Sequence, residues 1–173
     1  RQMCIRDRAS VNQQYQLIPV SAEEDSPLNL EDVDVLVIAS PKQKISPDHR
    51  DQIKSYLDAG GKAFFNLEPV LVDMQQLAGL SNRHSFADFV EYYFGVIIDE
   101  NMVYDRRSHQ NLSFSTGSTA NVLLPYPYWV RAKIVDKKVG GNVNTVVMPW
   151  SSSLGIMTLP NNRYKIQPLI AST

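Results

Sequence analysis

The sequence predicts an α/β fold with a parallel sheet, and three features of residues 33–67 predict it. The run Val33-Asp34-Val35-Leu36-Val37-Ile38-Ala39-Ser40-Pro41 is apolar on both faces, as suits a central strand covered by helices on both sides. A capped helix follows. Ser46 is a favourable N-cap, Pro47 fits the first helical position, and Asp48 sits where the helix dipole favours an anion. Ile53, Tyr56 and Leu57 mark its buried stripe, and Gly60 supplies the left-handed residue that ends it. A second apolar run, Lys62-Ala63-Phe64-Phe65-Asn66-Leu67, comes next, and a right-handed crossover makes the two strands parallel.

The other elements are weighed in chain order. Tyr15 to Val20 reads as a short strand, with Pro19 near its end where a missing N–H is tolerated. An acidic loop, Ser21 to Asp32, leads into the long strand, and Glu68-Pro69 breaks the chain after the second. Val70 to Gly79 suits a short helix or an ordered loop, through Leu71, Met74, Gln75 and Leu77. Phe86, Phe89, Val90, Tyr93 and Phe94 recur at helical spacing before Gly95, and Val96-Ile97-Ile98 and Met102-Val103-Tyr104 read as short strands. From Asp105 the character changes. Ser, Thr and Asn dominate Ser108 to Asn121, Gly140-Gly141-Asn142 reads as a turn, and strands are expected at Tyr128 to Ile134, Thr145 to Met148 and Lys165 to Ile170. The expected organisation is an α/β core at 9–104 and a β-rich extension of the same domain at 105–173, truncated at its C-terminus.

Composition narrows the class of partner. With 17 basic and 18 acidic residues the net charge is −1, which gives no electrostatic footprint for nucleic acid or an anionic membrane. Apolar runs are about a strand long, far short of the ~20 residues of a membrane span. The opening Arg1-Gln2-Met3-Cys4-Ile5-Arg6-Asp7-Arg8 resembles a translated sequencing adaptor, so residues 1–8 are expected to be non-native and the chain a fragment. Cys4 is the only cysteine. Without it there is no thiol for a disulfide, a thiolate metal site or a nucleophile.

The order of these segments resembles a known family. One half of the pattern is the strand ending Leu36-Val37-Ile38-Ala39-Ser40-Pro41, the capped helix, Gly60-Gly61-Lys62 and Glu68-Pro69. The other half is Phe94-Gly95-Val96-Ile97-Ile98-Asp99 with Val103-Tyr104-Asp105; Pro127-Tyr128-Trp129, Val147-Met148-Pro149-Trp150-Ser151-Ser152 and Ile166-Gln167-Pro168-Leu169-Ile170 follow. Together, over most of residues 15–173, they look like the auxiliary domain of uncharacterised ABC-type transport systems, including the GldG-type gliding-motility proteins. The strand–helix–Gly-Gly–strand unit also occurs in flavodoxin-like and class I glutamine amidotransferase-like domains. The fold expected is therefore a flavodoxin-like / class I glutamine amidotransferase-like parallel sheet with a β-rich C-terminal extension. The resemblance implies an extracytoplasmic, periplasmic domain held between membrane segments outside this sequence. Its implied partners are an ABC-2-type permease and ATPase subunits of the same system, with no cofactor and no catalytic residues.

Candidate chemistry is sparse. An amidotransferase-like enzyme needs a cysteine nucleophile on a strained turn after a central strand, where this chain has Glu68-Pro69. Thr116-Gly117-Ser118-Thr119 lacks the Gly-x-Ser-x-Gly elbow. His49, His84 and His109 do not stand at zinc-ligand spacing and read as solvated or capping residues, with His109 beside Arg106 and Arg107 also placed for a ligand mouth. Gly60-Gly61 lies at a helix C-terminus, whose carbonyls repel phosphate. Glu31, Asp32 and Asp34, and Asp99, Glu100 and Asp105, read as loop-solvating or strand-capping carboxylates. Trp129 and Trp150 read as core of the extension, with a ligand- or partner-facing aromatic surface as the alternative. The functional surface is then positional. Ligands of open α/β sheets sit outside the C-terminal strand ends, which places Ser40, Lys42, Asn66 and Glu68 on a candidate ligand-binding rim. The leading expectation is a non-catalytic transporter domain acting by protein–protein contact. A solute- or carbohydrate-binding module is the alternative, and a divergent hydrolase the third reading.

Overall fold

The structure, a computed structural model, describes residues 11–22, 26–41, 44–73, 76, 78–82, 85–115, 117, 121–158 and 164–172. The chain divides into two compact units, Arg1–Val37 with Ile45–Phe64, and Ile38–Lys44 with Phe65–Thr173. The octapeptide and Cys4 lie outside the described residues, as do Lys42, Met74, Gln75, Leu77, His84, Thr116, Ser118 and Thr119.

In the first unit, helix α1 (Pro47–Asp58) forms where its capping residues predict. The Ser46 hydroxyl accepts the His49 amide at 3.2 Å. At the other end the amides of Gly60 and Gly61 donate to the carbonyls of Leu57 (3.0 Å) and Tyr56 (2.9 Å), and Gly60 takes φ +96°. This paired reach-back closes the helix with a left-handed residue that a side chain would strain. Tyr56 ties the helix to both flanking segments. Its hydroxyl lies 3.1 Å from the Val33 and Lys62 carbonyls, to either of which it donates, and accepts the Lys62 amide at 3.2 Å. The chain turns so closely beneath the ring that a Cβ on Gly61 would overlap it.

Strands β1 (Val35–Ala39) and β2 (Lys62–Asn66) pair in parallel. Burial alternates along β1: Leu36 and Ile38 are buried, while Val35 and Val37 are 49% and 58% exposed, and Phe64 on β2 is 59% exposed. A face left open in this way contradicts the expectation of a central strand covered on both sides.

The second unit is dominated by antiparallel pairing. β3 (Val70–Asp73) and β4 (Ala78–Ser81) form a hairpin in the register Val70↔Ser81 to Asp73↔Ala78, where a helix or loop was expected. Helix α2 (Ser85–Phe94) buries Phe86, Ala87, Phe89 and Val90, and Gly95 (φ +73°) ends it, its amide on the Glu91 carbonyl at 2.9 Å. Phe65 and Tyr164 pack against its Phe89, Tyr93 and Phe94. Phe89 and Tyr93 stack at 5.3 Å and Phe94 meets Tyr164 edge-on at 5.0 Å, geometries that aromatic quadrupoles favour.

β5 (Val96–Ile98) pairs with β9 (Leu154–Ile156), Val96 opposite Ile156. Between them lie β6 (His109–Ser115), β7 (Asn121–Ile134), the short helix α3 (Lys137–Gly140) and β8 (Thr145–Pro149). β7 pairs antiparallel with β6, with β8 and with β10 (Ile170–Ala171). Asn101 fastens the base of this meander. Its side chain accepts the Ser153 amide (3.0 Å) and donates to the Ser153 hydroxyl (2.8 Å), its carbonyl accepts from Ser152 (2.7 Å), and Ser153 donates to Asp99 (2.6 Å).

The flavodoxin-like / class I amidotransferase-like expectation is therefore overturned. β1–β2 is the sole parallel pair among the described residues; the remaining pairings are small and antiparallel. The physical reason lies after β2, where the chain doubles back as the β3–β4 hairpin instead of entering a second crossover helix. Tyr15 to Val20 is irregular, and the polar stretch from Ser108 is mostly strand β6.

Two substitutions test the ties within each unit. Tyr56→Phe is expected to lower stability by about 0.5–1.5 kcal/mol, the worth of an ordinary hydrogen bond. Asn101→Ala is expected to cost somewhat more, about 1–2 kcal/mol, because the Ser153 amide and hydroxyl lose their bonds to its side chain together. Urea unfolding measures both, and an Asn101→Ala chain as stable as its parent would show that solvent replaces the clasp.

Candidate functional site

The C-terminal ends of β1 and β2 bring Ser40 and Asn66 together. The Ser40 amide donates to the Asn66 carbonyl at 2.8 Å, extending the strand pairing by one bond. Ser40 takes φ +45°, a left-handed conformation that costs a non-glycine residue roughly 1–2 kcal/mol. The kink turns the chain into Pro41 and leaves Ser40 half-buried at the strand end, with Asn66 exposed. Glu68, also exposed, follows β2 after Leu67. Its carbonyl accepts from the Asn82 side-chain amide at 2.7 Å, and the Pro69 carbonyl accepts the Asn82 backbone amide at 2.7 Å. Asn82 thus holds the segment that carries Glu68. Lys42, the remaining rim candidate, lies outside the described residues.

Two of the histidines have structural work. His49 is 3% exposed, and its Nε2 donates to the Ser26 carbonyl at 2.7 Å, so it is a buried anchor and not the solvated residue expected from the helix's first turn. His109 opens β6, with Nδ1 donating to the Asp105 carbonyl at 3.2 Å. The carboxylate of Asp105, itself buried, accepts the amides of Arg107 and Ser108 at 2.8 and 2.9 Å and shapes the turn into β6. Asp99 and Glu100 accept hydroxyls of Ser153 and Ser81. Among the described residues no group of three or more His, Cys, Asp and Glu side chains is placed to hold a metal ion.

The aromatic residues gather at the base of the β6–β7 ribbon. Trp129 meets Trp150 edge-on at 5.4 Å, and Tyr126 meets Trp129 at 6.4 Å. Trp150 Nε1 donates to the Tyr126 hydroxyl at 3.3 Å, while its backbone, at φ +49°, donates to the Tyr128 carbonyl at 2.9 Å. Trp129 Nε1 is buried, with no hydrogen-bond partner among the described residues. Tyr104 and Tyr128 extend the group outward, 51% and 38% exposed. The two tryptophans pack against each other, and the tyrosines carry the cluster to the surface. What the composition alone concealed is Asn101: one Asn among many polar residues, important only because residues 151–153 come to it.

Ser40 permits a direct test of the rim's backbone. Ser40→Gly is expected to leave stability unchanged or raise it by up to about 1 kcal/mol, whereas Ser40→Val is expected to lower it by about 1–2 kcal/mol, since a β-branched residue resists positive φ. Thermal unfolding of the two variants reads the difference; equal stabilities would remove the strain argument.

Among solved structures, the chain is similar to the mmIFT52 N-terminal domain, with a TM-score of 0.51 and 17% identity over 74% of this chain and 53% of that one. The likeness concerns the fold alone, and the chain spans about half the length of that structure. No curated protein matches the sequence significantly. A family model described as an ABC-type uncharacterized transport system matches residues 8–173. The chain belongs to this family of ABC transport-system auxiliary domains.

Proposed function

We propose that this domain is the non-catalytic, extracytoplasmic part of a GldG-like auxiliary component, working by contact with an ABC-2-type permease and its ATPase. The observation that carries the reading is the family match over residues 8–173. The use of side chains supports it: both described histidines donate to backbone carbonyls, and Asp99 and Asp105 accept hydrogen bonds that shape turns and strand ends. No helix among the described residues is long and apolar enough to cross a membrane, so in this reading anchoring falls to segments outside this sequence.

A second reading places a small solute or sugar at the rim of Ser40, Asn66 and Glu68. Its support is the strained turn at Ser40, a conformation that clusters at ligand-binding positions.

The complete gene product, tagged and cross-linked in its own host, is expected to co-purify with a permease and an ATPase. A phosphatase fused after this domain is expected to be active outside the cytoplasm. An inactive fusion would overturn the location, and substrate turnover by the purified domain would overturn the non-catalytic role. A solute at the rim predicts thermal stabilisation that Asn66→Ala or Glu68→Ala abolishes.

A further inference from the structure

Three side chains of α1 hold the chain segment that precedes β1. His49, Gln52 and Tyr56 stand at i, i+3 and i+7, the spacing of a single helix face. His49 Nε2 donates to the Ser26 carbonyl at 2.7 Å, and the Gln52 side-chain carbonyl accepts the Leu28 amide at 2.7 Å. The Tyr56 hydroxyl lies 3.1 Å from the Val33 carbonyl. Residues 26–33 are thus fastened at both ends and once between. Beyond the second tie the segment turns: the Asn29 side chain accepts the Glu31 amide at 3.3 Å, and Asp32 takes φ +61°. A cleft of about 480 Å³ lies between this turn and the helix. Leu28, Leu30 and Glu31 line one side of it, and Asp51, Gln52, Ser55 and Tyr56 the other.

The cleft has the scale of a small-molecule site, since such sites run from about 300 to 1,000 Å³. The ties that shape its walls are internal to the first unit, so the walls are set in advance of binding. Leu28, Leu30 and Tyr56 supply an apolar lining, and all three are half-buried. Its charge has one sign. Glu31 on the segment and Asp51 on the helix are its charged lining residues, and no Lys, Arg or His joins them. Lys54, three residues after Asp51, is engaged with Asp58 at 2.8 Å. Gln52 uses its carbonyl oxygen on Leu28, and the Ser55 hydroxyl donates to the Asp51 backbone carbonyl at 2.8 Å. An anion entering here meets two carboxylates and no opposing charge. A cation carried on an apolar body matches both the lining and its sign.

We infer that this cleft binds a small organic ammonium, its apolar body against Leu28, Leu30 and Tyr56 and its charged amine at the Glu31 and Asp51 carboxylates. The site shares no residue with the rim of Ser40, Asn66 and Glu68, and it does not rest on the transport-system reading.

Titration of the purified domain with phenylbutylammonium, followed by amide correlation spectra, tests this. Binding is expected at about millimolar affinity, the range of a fragment-sized ligand, with shifts confined to residues 28–31 and 51–56. Phenylbutyrate, a similar body of opposite charge, is expected to bind at least about tenfold more weakly. Glu31→Gln/Asp51→Asn is expected to weaken phenylbutylammonium binding about tenfold with an unchanged thermal midpoint, because both side chains are exposed. Salt at about 0.5 M is expected to weaken it several-fold by screening. No binding at about 10 mM probe would overturn the proposal, as would equal affinity for the two probes or for parent and double variant. Shifts centred on Ser40, Asn66 and Glu68 would overturn it in favour of the rim. Tighter binding of Nα-acetyl-lysine methylamide than of phenylbutylammonium would also overturn it, and would assign the cleft to a lysine of a partner protein.

Discussion

Backbone hydrogen bonding along β7 governs the second unit. Val130 is in register with His109 on one side and Met148 on the other, and Lys133 with Ala171 and Thr145, so the lower half of β7 is a central strand. There Val130 and Ala132 are only 2% and 4% exposed. Toward Asn121, β6 is the one strand among the described residues beside it, and residues 121–125 are all exposed. One strand therefore passes from core to surface as its number of neighbours falls from two to one. A two-stranded ribbon lacks the width to bury a face by itself. The burial pattern follows from that loss of a neighbour more than from any change in hydrophobicity, since Val122, Leu123 and Leu124 are as apolar as Val130.

Local signals were legible in the sequence, and long-range ones were not. Ser46, Pro47 and Gly60 mark the ends of α1 through bonds spanning a few residues, and the structure shows those bonds. Phe86, Phe89 and Val90 likewise announce the buried stripe of α2. The parallel sheet failed as an inference because apolar alternation says that a strand exists and says little of its neighbours. Val35 and Val37 are apolar yet exposed, and Val70 to Gly79 is too short for its apolar spacing to tell a helix from a hairpin. The Ser- and Asn-rich stretch from Ser108 is not read as a strand because β propensity is low there; cross-strand pairing of Leu112 and Phe114 with Leu124 and Val122 overrides it.

The candidate rim was partly legible. The bond from Ser40 to Asn66 follows from two strands ending side by side, a relation predicted by the crossover between them. The positive φ of Ser40 was not legible, because nothing but its chain context forces a serine to that conformation. His49 shows the same limit from the other direction. A histidine on a polar first turn reads as solvated, and only the return of Ser26 onto it turns it into a buried anchor. Membership in a transport-system family then gives the domain its setting, which no individual side chain reveals.

The Asn101 clasp has a topological consequence. Residues 99–101 and 151–153 lie side by side, bonded by backbone and side chain, and β5 and β9 continue the contact outward. The segment from Val103 to Trp150 consequently leaves and re-enters the fold at adjacent points, and β10 comes back to pair with β7 inside it. An excursion with adjacent ends tolerates a change of length away from the β7–β10 pairing, because insertions are accommodated where their termini meet.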